Sequence, residues 1–255
     1  MGDNAPGGIY DQIVTSKRMG QKKFAVLIDP DKLRLQNMDE IIHLAIEAQV
    51  DYFFLGGSLI VNDMLDNCLM QIKAATNIPL ILFPGNSYQI SYKADAILFL
   101  SLISGRNAEL LIGKHVITAP FLRISPLEVI STGYILVDGG VPTTVSYMSN
   151  TQPIPADKED IAMCTALAGE LLGLKMNYLD AGSGAANPVS ESMIDHVASS
   201  TSTPLIVGGG VKTPEKAFAN MRAGADILVV GNAIEKDPSM IREISAAVHQ
   251  VSSIR

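Results

Sequence analysis

Eight short apolar runs, mostly alternating with helical segments along one 255-residue chain, predict a single α/β domain closed into a (β/α)8 barrel. Two further observations point the same way. Small and acidic residues stand just after the C-terminal ends of most runs, where a barrel builds its functional face from βα-loops. No GxGxxG follows the first run, which argues against a doubly wound open sheet, the rival architecture. With no linker and no tandem repeat beyond the βα rhythm, one domain is expected over residues 1–255, with 1–8, rich in Gly, Pro and Asn, loose.

A short helix is expected over Tyr10 to Met19. The first strand, Phe24 to Ile28, ends in Asp29-Pro30-Asp31-Lys32. A helix follows over Met38 to Ala48, where Ile41, Ile42, Ala45 and Ile46 form an apolar stripe. Strand two, Tyr52 to Leu55, ends in Gly56-Gly57-Ser58 and leads to a helix from about Asn62 to Ala75. Strand three, Leu80 to Phe83, ends in Pro84-Gly85-Asn86-Ser87, and residues 87–95 are too short and polar for a full helix before strand four, Ala96 to Leu100. Asn107 to Ile112 reads as helical, and 114–130 fits neither period. Strand five, Tyr134 to Val137, ends in Asp138-Gly139-Gly140, and 142–157, with its Pro, Thr and Ser, reads as a loop. A helix over Asp157 to Leu172 takes Asp157 as N-cap and aligns Ile161, Cys164, Thr165, Ala168 and Leu172 on one face. Strand six, Met176 to Leu179, ends in Asp180-Ala181-Gly182-Ser183-Gly184-Ala185, and a helix over Val189 to Ser199 follows. Strand seven (Leu205 to Val207), a helix (Pro214 to Arg222, capped by Thr213), strand eight (Asp226 to Val230) and a terminal helix to about Val251 complete the chain.

Composition excludes several classes. The net charge is −7 with scattered basic residues, which argues against a nucleic-acid surface. Four dispersed histidines with no HxxxH or HExxH spacing disfavour a soft-metal site. Cys68 and Cys164 read as buried thiols in a reducing compartment. The N-terminal stretch lacks the basic flank and apolar core of a signal peptide, and no apolar run is long enough to span a bilayer, so a soluble cytoplasmic protein is expected.

Chemistry concentrates at five strand ends. Gly208-Gly209-Gly210 and Gly231-Asn232 each follow a buried apolar run. Lacking a Cβ, such turns let backbone amides approach an anion closely, and two in succession after the last two strands predict a phosphate cradle. Asp29 and Asp31, held by Pro30, offer hard oxygen ligands suited to Mg2+ beside a phosphate, and Ser58 adds a hydroxyl nearby. The bland alternative is helix-entry chemistry with Lys32 solvated. Asp180 is a candidate general base, because a carboxylate at a strand end among apolar neighbours has a raised pKa; the alternative is an Asp that merely caps the next turn.

LIDPDK, YFFLGGS, YLDAGSGA, LIVGGGVKTPEKA and ADILVVGNAIEKDP, in this order and spacing, resemble the geranylgeranylglyceryl phosphate synthase family, which includes bacterial heptaprenylglyceryl phosphate synthases. The likeness runs from about Phe24 to Pro238. It implies a TIM barrel whose third helix is replaced by an irregular segment, matching the weak stretch 87–95. It implies transfer of a polyprenyl group, geranylgeranyl in this subgroup, from its diphosphate to the 3-hydroxyl of sn-glycerol 1-phosphate. Metal ligation carries over to Asp29 and Ser58. Substrate binding carries over to Tyr178, Leu179, Asp180, Ala181, Gly182, Ser183, Gly184 and Ala185, to Gly209 and Gly210, and to Gly231 and Asn232. Asp180 or Tyr178 would orient or accept the hydroxyl proton. Archaeal members usually carry Glu at Asp180, and Leu27 stands where some relatives have Lys. Phe83, Tyr88, Tyr92, Phe99 and Leu100 are candidates for the apolar prenyl groove, with ordinary core as the alternative. The resemblance also implies a homo-oligomer, and a lipid-like substrate implies transient contact with a membrane surface. Two other readings fit the bare pattern: a sugar-phosphate isomerase or synthase, and a phosphate-metabolite binder without catalysis.

Overall fold

A computed structural model describes residues 7–31, 35–62 and 64–252, the side chains of Leu35 and Gln36 excepted, so Lys32 lies outside the described residues. Eight parallel strands close a barrel in chain order: β1 (Lys23–Ile28), β2 (Tyr52–Leu55), β3 (Leu80–Leu82), β4 (Ala96–Leu102), β5 (Glu128–Leu136), β6 (Met176–Asp180), β7 (Leu205–Gly208) and β8 (Ile227–Val230). The ring closes where Phe24 of β1 pairs with Leu228 of β8. The helices are α1 (Ile9–Arg18), α2 (Leu35–Glu47), α3 (Leu65–Ala75), α4 (Lys114–Ile124), α5 (Thr144–Ser149), α6 (Glu159–Leu171), α7 (Glu191–Ser200), α8 (Pro214–Arg222), α9 (Asn232–Lys236) and α10 (Met240–Ser252). No helix joins β3 to β4, so the irregular replacement expected for the third barrel helix is present over residues 83–95. No helix among the described residues is long and apolar enough to cross a membrane.

Strand alternation divides the core in two. Ala25, Tyr52, Phe54, Ile81, Leu98, Ile130, Tyr134, Met176, Tyr178, Ile206 and Val229 fill the barrel interior. Their neighbours in sequence, among them Phe24, Val26, Phe53, Leu80, Ile135, Leu179, Val207 and Leu228, fill the layer beneath the helices. Both faces are buried, which is why the strands read as continuous apolar runs. Fully burying a side chain such as Phe53 or Leu80 contributes about 1.5–3 kcal/mol.

Several elements differ from the expectation. Strand β5 begins at Glu128, six residues before Tyr134, because its backbone pairs with β4 from Ala96 onward; the Glu128 carboxylate then accepts from Ile9 N of α1 at 2.6 Å and Tyr10 N at 3.0 Å. The helix expected over Asn107 to Ile112 is a π-helical segment, Glu109–Gly113; the undecided stretch 114–130 holds α4, with Pro120 inside the helix on its outer side, and the start of β5. The expected loop 142–157 contains α5, started by a capping box between Thr143 and Ser146. Asp157 caps nothing: α6 starts at Glu159, and Asp157 instead pairs with Lys158 at 3.2 Å. The buried face of α6 is Ala162, Ala166 and Gly169, while Ile161, Cys164 and Leu172 point outward. A Cβ on Gly169 would lie 2.9 Å from Ile103 Cδ1 and 3.0 Å from Asn177 Oδ1, so this helix presses on the barrel too closely for larger residues. Cys68 is buried as expected; Cys164 is exposed.

The end of the barrel opposite the βα-turns is tied by buried charge. Asp51 accepts from Lys23 Nζ at 2.8 Å and Phe24 N at 2.9 Å, and pairs with His249 Nε2 of α10 at 2.9 Å. Burial pushes the Asp51 carboxyl up, but the hydrogen bonds from His249, Lys23 and the Phe24 amide outweigh it and hold the group below its ordinary value. A depressed carboxylate contributes stability above its unfolded pKa, here near 3.8, and loses it as pH falls through the folded value. Asp51→Asn should therefore cost about 1–3 kcal/mol at pH 7 in denaturant unfolding. The variant should also lose less additional stability than the wild type on acidification below pH of about 4. Parallel stability curves for the two proteins would contradict this role.

Candidate active site

Strand β6 delivers Tyr178 and Asp180 to the barrel interior, while Leu179 between them turns outward. Asp180 is 6 % exposed. Its Oδ2 accepts from Tyr134 Oη at 2.6 Å and its Oδ1 from Gly182 N at 2.7 Å. Burial pushes the Asp180 carboxyl up; the Tyr134 hydroxyl and the Gly182 amide pull part of the way back. Burial and the Asp180 charge push both Tyr134 and Tyr178 well above the usual phenol range, and Tyr134 donates a hydrogen bond to Asp180. The turn after β7 is glycine for a physical reason. A Cβ on Gly208 would lie 2.5 Å from Tyr178 Oη, and one on Gly209, whose φ is +81°, would lie 2.6 Å from Asp180 Oδ1. Phe83 stacks on Tyr178 at 5.2 Å, and Tyr134 meets Tyr178 edge-on at 5.5 Å, which floors the mouth with aromatic rings.

Above this floor the turns after β6, β7 and β8 meet. Ser183 Oγ donates to Asn232 Oδ1 at 3.0 Å, and a Cβ on Gly184 would lie 3.6 Å from Asn232 Nδ2. Gly184, Gly209 and Gly210 take positive φ, the backbone pattern that turns successive amides toward one point. Asn232 begins the short α9, directly after β8. Ser183 and Gly184 are exposed, and Gly209, Gly210, Gly231 and Asn232 half-buried, so these turns reach solvent. The arrangement suits a small phosphorylated ligand over a buried carboxylate.

The turns after β1, β2 and β3 form a second corner. Asp29 Oδ1 accepts from Asp31 N at 3.1 Å, and a Cβ on Gly57 would lie 3.1 Å from Asp29 Oδ2. Asp31 is committed elsewhere: it accepts from Val61 N and, at 2.9 Å, from Asn62 N, pinning the loop after β2. From Gly57 and Ser58 a cavity of about 280 Å3 runs past Phe83, Leu98, Leu100 and Tyr134 to the outer face of β4, where Phe99 and Ile97 face His115, Thr118 and Leu122 of α4. His115 is buried; its Nε2 lies 3.1 Å from Ser101 Oγ and its ring stands edge-on to Phe99 at 4.4 Å.

Residues 17–248 match the PcrB family. The chain belongs to the PcrB family. A geranylgeranylglyceryl phosphate synthase of Chitinophaga pinensis is 57 % identical over 246 residues, 96 % of this chain and 98 % of that protein. The enzyme of that name from Thermococcus kodakarensis is 39 % identical over 234 residues, 91 % of this chain and 92 % of its own length. The crystal structure of (S)-3-O-geranylgeranylglyceryl phosphate synthase from Thermoplasma acidophilum, in complex with substrate sn-glycerol-1-phosphate, superposes with a TM-score of 0.90 at 33 % identity, covering 95 % of this chain and 99 % of that one. Likeness to Mycobacterium tuberculosis tryptophan synthase, TM-score 0.60 at 12 % identity, shows the barrel alone.

In this PcrB-family barrel the sequence-identified residues divide into groups. Asp180, Ser183, Gly184, Gly209, Gly210, Gly231 and Asn232 gather on the β6–β8 side of the mouth; Asp29 and Ser58 stand at the β1–β3 corner. Leu179 and Ala181 do not face the mouth, because both side chains lie in the layer beneath the helices and the Ala181 amide is spent on Gly208 O at 3.1 Å. The Gly182 amide is likewise taken by Asp180. Tyr178 is a floor residue stacked on Phe83, its phenol pushed up by burial and by the Asp180 charge. Of the proposed groove residues, Phe83, Phe99 and Leu100 line the cavity, whereas Tyr88 and Tyr92 are exposed outside it. Sequence reading missed Tyr134 as the partner of Asp180; its inward parity opposite Tyr178 on β5 was the available signal. It also missed Gln89 and α4, for which no periodicity exists.

Two outcomes are expected. Tyr134→Phe removes a hydrogen bond that lowers the Asp180 pKa, so the acidic limb of the pH–rate profile should move to higher pH; an unmoved limb would detach Tyr134 from the Asp180 titration. Gly209→Ala should cost about 1–3 kcal/mol of strain at positive φ and abolish detectable binding of glycerol phosphate in calorimetry.

Proposed function

We propose that this chain transfers a geranylgeranyl group from its diphosphate to the 3-hydroxyl of sn-glycerol 1-phosphate, forming an ether and releasing pyrophosphate. Prenyl transfer to glycerol phosphate is the activity of the synthases that match it across nearly their whole length. The observation that carries the reading is the cradle of Gly184, Gly209, Gly210 and Asn232 above Asp180, on a barrel whose solved relative holds sn-glycerol-1-phosphate.

The phosphate seats on the amides of the β6–β8 turns, which places the glycerol hydroxyls over the Asp180 carboxylate. The glycerol oxygen forms a bond to the first prenyl carbon as the carbon–oxygen bond to the diphosphate breaks. The hydroxyl proton passes to Asp180, whose raised pKa makes it a better proton acceptor, while Tyr134 steadies the carboxylate through its donated hydrogen bond. Holding both substrates in line can supply about 7–11 kcal/mol of the barrier. The prenyl tail takes the apolar cavity between β4 and α4, which opens because no helix follows β3.

The β1–β3 corner fits Mg2+. The carboxylate of Asp29 and the hydroxyl of Ser58 would hold the ion, while the Asp31 carboxylate beside them accepts from the Val61 and Asn62 amides. No cluster of three or more His, Cys, Asp or Glu occurs among the described residues, so the donor set is the sparse oxygen kind that Mg2+ completes with water and substrate phosphates. When bound, the ion neutralises charge building on the departing diphosphate.

Outward apolar faces on α4 (Ile112 just before it, Val116, Ile117, Phe121, Ile124) and along α6 (Ile161, Leu171, Leu172) support self-association into a homo-oligomer. The test of function is incubation with sn-glycerol 1-phosphate, geranylgeranyl diphosphate and Mg2+. An extractable prenyl ether is expected; EDTA should abolish it. Asp29→Ala should lower the rate at least about 100-fold with an unchanged circular dichroism spectrum. Undiminished turnover by a folded Asp29→Ala enzyme would remove Asp29 from the mechanism. Turnover of an aminosugar phosphate without metal would favour the isomerase reading instead.

A further inference from the structure

One side chain clasps the segment that stands in for the third barrel helix. Gln89 is 4 % exposed. Its Oε1 accepts from Gly85 N at 3.0 Å and Gly57 N at 3.4 Å, and its Nε2 donates to Gly57 O at 2.8 Å. Two amides face the carboxamide oxygen and a carbonyl faces its nitrogen, so only one orientation of the group satisfies all three. The turns it joins are packed face to face: a Cβ on Gly85 would lie 2.9 Å from Ser58 Cα. On its other flank Gly57 abuts the Asp29 carboxylate, at 3.1 Å from a would-be Cβ to Oδ2. The Gly57–Ser58 backbone is thus sandwiched between Gln89 and Asp29.

We propose that Gln89 is a positioning residue for the diphosphate half of the reaction, fixing the Gly57 and Gly85 backbones so that Ser58 and Asp29 converge on the metal-bound diphosphate. The inference rests on the function proposed above. Glutamine is the residue this clasp requires. Glutamate accepts both amides but lacks the donor for Gly57 O and adds a negative charge beside Asp29. An apolar residue of similar length leaves three backbone groups without their partner. The clasp is also separable from the fold of the segment. Independent ties hold residues 83–95 to the helices on either side: Ser91 Oγ donates to Asp66 Oδ1 of α3 at 2.5 Å, Lys93 pairs with Asp66, and Tyr92 Oη donates to Phe121 O of α4 at 3.1 Å. Loss of Gln89 therefore loosens the two glycine turns more than the strap that carries them.

The test compares Gln89→Glu and Gln89→Met with wild type in the full chain. In both variants the KM for geranylgeranyl diphosphate and the Mg2+ concentration for half-maximal rate should rise about 10- to 100-fold, with the larger rise in Gln89→Glu. The KM for sn-glycerol 1-phosphate should not move. Two readouts need no turnover. Calorimetric titration of inorganic pyrophosphate with Mg2+ should show the same weakening, and amide hydrogen exchange at Gly57 and Gly85 should quicken in the ligand-free variants. A general loss of stability that raises both KM values alike, or unchanged pyrophosphate binding and exchange, would overturn the proposal. If the wild type makes no ether yet binds pyrophosphate more tightly than the variants, the functional reading falls and the role of Gln89 stands.

Discussion

A carboxylate buried at the mouth of a closed barrel constrains everything around it. Asp180 is almost wholly buried, so its charge must be met by hydrogen bonds, and Tyr134 and the Gly182 amide supply them. Meeting that demand fixes the path of the chain after β6. It also requires the backbone after β7 to pass so near that Gly209 has no room for a side chain. The glycines there are consequences of packing against Asp180 and Tyr178 as much as of ligand approach. The turns after β6 and β8 meet nearby, where a Cβ on Gly184 would lie 3.6 Å from Asn232 Nδ2 and Ser183 Oγ donates to Asn232 Oδ1. The buried carboxylate and the glycine turns above it are in this sense one packing solution.

The other side of the mouth follows a different logic. Where the third helix is missing, α4 covers part of the outer face of β4, with His115, Thr118 and Leu122 turned inward and His115 edge-on to Phe99. A helix that walls a cavity cannot fill it, so the larger apolar residues of α4 lie on its outer side. The irregular segment supplies what the absent helix does not: ties to α3 and α4, and through Gln89 a hold on the turn that bears Ser58. On the proposed reading, the two anionic groups of the reaction occupy separate arcs of one rim.

The eight strands and the functional turns were legible because both obey strong local rules. Strands buried on two faces are continuous apolar runs, and a turn pressed onto buried side chains is glycine. The errors have an equally physical origin. The inner face of α6 is Ala162, Ala166 and Gly169 because the helix sits hard against Asn177 and Ile103, so a search for large apolar residues selects the solvent face. The segment around α4 has no readable period because its inner residues line a cavity rather than a core. Strand β5 starts with Glu128, which looks like a loop residue until its partners, the first amides of α1, are seen across the barrel. Within the site, the arc of Asp180, Gly209 and Asn232 was legible, whereas the outward turn of Leu179 and Ala181 depends on strand parity at the very end of β6. Gln89 acts through three backbone groups distant in sequence and leaves no pattern to find.

The separation of the two anionic groups is the central claim, and a crystal structure with sn-glycerol 1-phosphate, Mg2+ and a non-hydrolysable geranylgeranyl thiolodiphosphate tests it most directly. The glycerol phosphate should lie against the backbone of Gly184, Gly210 and Asn232 with its hydroxyls over Asp180, and the diphosphate beside Asp29 and Ser58 with its tail between β4 and α4. A structure that placed both phosphates on the same arc, or the tail outside that cavity, would contradict the account.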